Sequence, residues 1–131
     1  MSHFTKVATK INDLVALKKA LDQLGWKYEH AAGGVEVRGW RGQKTQAEMS
    51  IDMGKYDIGV VKQEDGTYAL EADWWGIETT RGVKEEDVVK EVNAKYAYQR
   101  VVAALEDQGY QIDRNAVQAD GSVKLTVSKW E

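Results

Sequence analysis

The chain contains no cysteine. That removes disulfides, thiolate metal sites and cysteine nucleophiles together, and it is compatible with a reducing compartment. Proline is absent as well, and a single phenylalanine stands against five tryptophans. There are two histidines, His3 and His30. Neither has the spacing of a zinc ligand set, and both read as ordinary strand or turn residues. No apolar run approaches the roughly 20 residues needed to span a bilayer. Met1 to Lys10 has neither the basic nor the apolar region of a signal peptide. A positive excess is also missing: 18 Lys and Arg face 21 Asp and Glu, a net charge of -3. That sign disfavours duplex nucleic acid and docking on an anionic membrane. The sequence holds no Ser-His-Asp order, Gly-x-Ser-x-Gly elbow, Walker loop or paired-carboxylate motif.

What remains is globular composition, 43% hydrophobic and 30% charged. A length of 131 residues suits one domain, and no linker divides it, so residues 1–131 are read as a single unit. Such a chain buries roughly two-thirds of the surface its unfolded form exposes and needs no covalent staples.

Residues 3–9 alternate weakly and predict a short strand. Asn12 or Asp13 can cap a helix over Asp13 to Leu24, in which Leu14, Leu17, Leu21 and Leu24 form one apolar stripe. Gly25 is its stop. Trp26 to Glu29 and Val35 to Arg38 read as short strands paired across an Ala32-Gly33-Gly34 turn. Thr45 to Met53 alternates again. Tyr56 to Lys62 and Thr67 to Asp73 flank Asp65-Gly66, a hairpin signal. A polar stretch follows Trp74-Trp75-Gly76. Glu85 to Gln108 is the longest helical segment, with three acids in its first turn. Tyr110 to Val117 and Ser122 to Lys129 read as a terminal hairpin around Asp120-Gly121. Together these predict an α+β domain of two layers: a mainly antiparallel sheet of six or seven strands with two helices on one face. Leu17 to Trp26 echoes Val101 to Tyr110, so two β-α-β-β halves are one reading. The other is that helix–Gly–strand joints look alike in unrelated proteins.

Several residue groups could carry chemistry. In Arg38-Gly39-Trp40-Arg41-Gly42, arginine forks can hold an anion and an indole can stack a ring or cation. The bland alternative is a solvated turn over a packed aromatic. Trp74 and Trp75, adjacent at a strand end, point to opposite faces, so one can enter the core while the other anchors an interface; core or loop packing of both is the equal alternative. Tyr96 and Tyr98 cannot share a helix face. One is expected to meet the sheet and the other to border a groove with Lys95 or Arg100, Tyr98 being the candidate; the plain alternative is helix core with solvated charges. Asp57, Glu71 and Asp73 lie on the central hairpin, where solvated strand positions are the plain alternative to a site.

These motifs, taken in order, resemble one family. They are Met1-Ser2-His3-Phe4, the Leu17 to Leu21 run, Val37 to Gln43, Tyr56-Asp57-Ile58-Gly59, Ala72 to Gly76, Lys95-Tyr96-Ala97-Tyr98 and Gln118 to Ser122. The chain is similar over nearly its whole length to the hypothetical chloroplast open reading frame thirty-five family of cyanobacteria and algal plastids, with bacterial and phage relatives. The resemblance implies a family of unknown function and no assigned catalytic residue or cofactor. It implies a cytoplasmic or plastid-stroma setting, or a phage-infected cell, and a start at Met1 with no transit peptide missing. It also implies gene neighbours encoding a ferredoxin-like protein and an AAA-type ATPase as possible protein partners.

Three functions follow as expectations. The leading one is a non-enzymatic accessory protein that contacts a protein partner through Arg38, Trp40, Arg41, Trp74 and Trp75. The second is an anionic-ligand site or enzyme, with an arginine on the anion, a tryptophan on a ring and Asp57 or Asp73 as acid or base. The third is single-stranded nucleic-acid binding through stacked aromatics.

Overall fold

The computed structural model describes residues 3–129. Met1 and Ser2 of the N-terminal motif lie outside them. The chain runs β1 (Thr5–Ala8), α1 (Leu14–Leu24), β2 (Tyr28–Arg38), β3 (Lys44–Asp52), β4 (Asp57–Lys62), β5 (Tyr68–Ala72), α2 (Trp74–Arg81), α3 (Glu85–Asp107), β6 (Tyr110–Val117) and β7 (Val123–Lys129). This is the expected α+β class, and every strand pair is antiparallel. The seven described strands divide, however. Five form a sheet in the order β1-β5-β4-β3-β2, and β6-β7 stand apart as a two-stranded ribbon.

Register explains where the core forms. Met49, Val60, Leu70 and Val7 lie side by side across the sheet, and so do Ile51, Ile58 and Ala72. Opposed residues share a face, so these rows make one apolar surface. On it pack Leu17 and Leu21 of α1, Ile77 of α2, and Val88 and Val92 of α3. Complete burial of each large side chain contributes roughly 1.5–3 kcal/mol. The next row, Ser50, Gly59, Glu71 and Lys6, faces the other way and carries the polar residues.

Helix α1 forms as its stripe requires. Asp13 caps it, its carboxylate accepting the N–H groups of Val15 at 3.0 Å and Ala16 at 3.2 Å, and Gly25 ends it at φ 75°. It carries the chain from β1 at one sheet edge to β2 at the other. These caps hold the Asp13 carboxyl below its usual range: the Ala16 N–H contributes most, and Arg100 adds a hydrogen bond and its charge.

Two local expectations change. The Gly33-Gly34 stretch is not a hairpin turn. Residues 28–38 form one strand along β3, and the register slips between His30 and Val35, so the glycines lie in a bulge. Pairing with β3 at both ends outweighs the local turn signal, and a bulge bends and twists its strand. The stretch after Asp73 is helical: Asp73 caps it by accepting the Gly76 N–H at 3.0 Å. Among the two β-α-β-β halves the sequence suggested, β1-α1-β2-β3 is built into the sheet. The order β5-α2-α3-β6-β7 resembles it with an extra helix, but its hairpin does not join the sheet.

Candidate functional site

The bent end of the β2–β3 hairpin curls over the start of β4. Gly59 leaves the room, because a Cβ there would sit 2.8 Å from Val37 Cγ2. The curl brings Arg38 to Asp57. The guanidinium grips the carboxylate with two parallel bonds, Nε to Oδ2 at 2.8 Å and Nη2 to Oδ1 at 2.7 Å. The Arg38 backbone N–H adds a third, to Oδ2 at 2.8 Å. Nη2 also donates to the Gly54 carbonyl at 3.0 Å and reaches Asp52 Oδ1 at 3.3 Å. Asp57 is buried, so this charged fork offsets the cost of taking its carboxylate out of water. The pair raises the Arg38 pKa, chiefly through the Asp57 hydrogen bond.

A second carboxylate fixes the loop beyond. Asp73 is fully buried, and while its Oδ1 caps α2, its Oδ2 accepts the Trp40 N–H at 3.0 Å. One side chain therefore ties the β2–β3 loop to the start of α2. The loop itself is tight: the Gly39 N–H donates to the Gln43 carbonyl at 2.7 Å. Arg41 sits at φ 54°, ψ 40°, and is the only non-glycine described residue with positive φ. A residue with a Cβ in that region costs roughly 1 kcal/mol or more that glycine would not incur.

The tie places three aromatic rings together. Trp40 meets Trp75 edge-on, centroids 5.2 Å apart and planes at 88°. Trp40 and Tyr56 are tilted at 6.5 Å. Gly76 permits the closeness of α2, since a Cβ there would sit 2.9 Å from the Tyr56 ring. Arg41 lies 5.6 Å from the Trp40 ring centre and Lys55 5.8 Å from that of Tyr56, within cation–π reach. Trp75 remains 48% exposed, whereas Trp74 is buried and donates its indole N–H to the Thr5 carbonyl at 3.1 Å.

The residues singled out in the sequence thus separate. Trp40, Arg41 and Trp75 meet at one surface. Arg38, Asp57 and Asp73 are brought to the same place but as its braces, with both oxygens of each carboxylate engaged. Trp74 belongs to the core. Tyr98 is not brought to this cluster; its hydroxyl accepts from Asn115 Nδ2 on β6 at 3.1 Å. Lys55 and Tyr56 are the residues the sequence did not offer as a site. Their signals are a basic–aromatic pair beside Gly54, too short to weigh, and the place of Tyr56 at the head of one family-like motif, which assigns it no role. Among the described residues no group of three or more His, Asp or Glu side chains could hold a metal ion.

The model of the family described as "protein of unknown function (DUF1257)" matches residues 20–126. The chain belongs to this family. Similar proteins include the uncharacterized protein ycf35 of Cyanophora paradoxa, 33% identical over 131 residues and covering 99% of this chain and 98% of that one. The ycf35 proteins of Guillardia theta, at 31%, and Pyropia yezoensis, at 30%, cover the same shares. The family therefore is the chloroplast reading-frame family that the motifs resemble, and the family match takes in the whole Arg38 to Trp75 site. No solved structure matches the chain. No helix among the described residues is long and apolar enough to cross a membrane.

Proposed function

We propose that this DUF1257 protein is a non-enzymatic accessory protein of the cytoplasm or plastid stroma that docks a protein partner through Trp75, Trp40 and Arg41. The observation that carries this is Trp75. A large indole half exposed at the start of a helix, held edge-on by a second indole that has a cation over it, is the composition of an interface anchor. The strain held at Arg41 supports the same assignment. Glycine would close the loop at lower cost, so the arginine is there for its side chain. Catalysis is the weaker alternative, because Asp57 and Asp73 spend their oxygens on bracing the loop.

The test is affinity capture from the native host's extract with wild type and Trp75→Ala, both confirmed folded by circular dichroism. A partner held by wild type and lost by the variant is expected. A partner held equally by both would remove Trp75 from the interface and this function with it.

A further inference from the structure

Beside the docking surface, a cleft of about 560 Å³ lies between the β2–β3 loop and the β3–β4 turn. Trp40 and Tyr56 supply its apolar lining. Arg41, Lys44 and Lys55 stand around them, and Arg38 closes one side. Among the described residues no Asp or Glu lines this cleft, although acids outnumber bases in the chain by 21 to 18. Arg38 is neutralised by Asp57. Arg41 and Lys55 have no ion-pair partner among the described residues. Lys44 reaches Glu36 at 3.6 Å, but both side chains are more than half exposed, and such a contact holds little.

The opposite side of Arg38 has the reverse character. A neighbouring cleft there is bordered by Glu29, Glu36, Asp52 and Asp57, with Lys27 and Arg38. The Arg38–Asp57 pair therefore stands at the boundary between an acidic and a basic surface. A charged partner is attracted to one and repelled by the other, which fixes where it lies.

Resting on the docking surface proposed above, we infer that the partner presents an acidic peptide segment, with an apolar or aromatic side chain seated against Trp40 where it covers Tyr56 and carboxylates set against Arg41, Lys44 and Lys55. A protein segment suits the arrangement better than a small phosphate compound. The cations come from two separate loops, and the exposed Trp75 extends the contact beyond the cleft.

The probe is a panel of short peptides carrying one leucine or tryptophan among glutamates, with glutamine-for-glutamate and lysine-for-glutamate controls, measured by fluorescence anisotropy. Wild type should bind the acidic peptides, more weakly as salt rises, and ignore the glutamine controls. The double reversal Arg41→Glu/Lys55→Glu, checked for folding by circular dichroism, should lose roughly tenfold or more. It should in turn prefer the lysine peptides, a gain that mere damage to the fold cannot produce. Equal binding of glutamine controls, or of acidic peptides by the reversed variant, overturns the inference. So does binding of tripolyphosphate where no peptide binds, which would assign the cleft to a small anion. The two proposals fail separately. Extract capture lost with Trp75→Ala but kept by the reversed variant at all salt concentrations leaves docking through Trp75 standing, takes Arg41 out of the contact and refutes the acidic partner.

Discussion

The β4–β5 hairpin turns through Gln63-Glu64-Asp65-Gly66-Thr67, and the β6–β7 hairpin through Gln118-Ala119-Asp120-Gly121-Ser122. The bonds match one for one. Gln63 and Gln118 donate their N–H to the Thr67 and Ser122 carbonyls at 2.7 Å, and the Gln63 and Gln118 carbonyls accept the N–H groups of Gly66 and Gly121 at 3.1 and 3.0 Å. Each aspartate accepts a backbone N–H at 3.0 Å and a hydroxyl at 2.6 Å. Both glycines sit near φ 87–88°. Yet β4 and β5 are the centre of the sheet, while no described residue after Val92, the terminal hairpin included, is buried. The turn is written by five local residues. Burial is written by what the strands carry and by the neighbours their register meets: Ile58, Val60 and Leu70 on one hairpin, Gln111, Asp113, Arg114 and Asn115 interleaved on the other.

The largest difference should appear on removing a leucine. Leu70→Ala empties a fully buried position and should cost about 2–5 kcal/mol in urea unfolding. Leu125→Ala on β7 should cost at most about 1 kcal/mol. Equal losses would mean that the ribbon shares the sheet's core.

A smaller effect should separate the two turn aspartates. Asp65→Ala should lower the melting temperature of the whole domain, whereas Asp120→Ala should release only the amide protection of β6 and β7, read by hydrogen exchange. Acid sharpens this. The Thr67 and Ser122 hydroxyls, and then their backbone N–H groups, hold both carboxyls below the usual value. A carboxyl depressed in the folded state contributes stability above its unfolded pKa and loses it as pH falls through the folded one. Protection at Thr67 and Ser122 should therefore survive to below about pH 3.9 and then fade. In Asp120→Ala the Ser122 step should vanish while the Thr67 step stays.

These same turns show what a sequence displays. Asp-Gly between alternating runs, the Leu17 and Leu21 stripe and the Asp13 cap are all local, and all were legible. Helix α2 was not, because eight residues opening on two tryptophans show little periodicity and its cap, Asp73, read as a strand end. The bulge in β2 was misread because Gly33-Gly34 signals a turn locally, and only the pairing with β3 reveals otherwise. In the site, the residue types were visible but their roles were not. Arg38 meets Asp57 across 19 residues, and Trp40 meets Asp73 across 33. No spacing announces such pairs, so of two arginines equal in the sequence one is a brace and the other has no ion-pair partner among the described residues.

The third hairpin supplies the counterpart to the other two. Both Asp-Gly turns meet their needs locally and put glycine where φ is positive. The β2–β3 loop borrows two distant carboxylates and keeps an arginine in that conformation, the feature on which the proposed contact rests. Arg41→Gly tests this most directly, by thermal unfolding and partner capture on the same preparation. The expected result is a variant as stable as wild type or stabilised by up to about 1 kcal/mol, the relief of strain being partly offset by the freer unfolded chain, that no longer holds the partner. A variant that keeps the partner at the wild-type level would contradict the account.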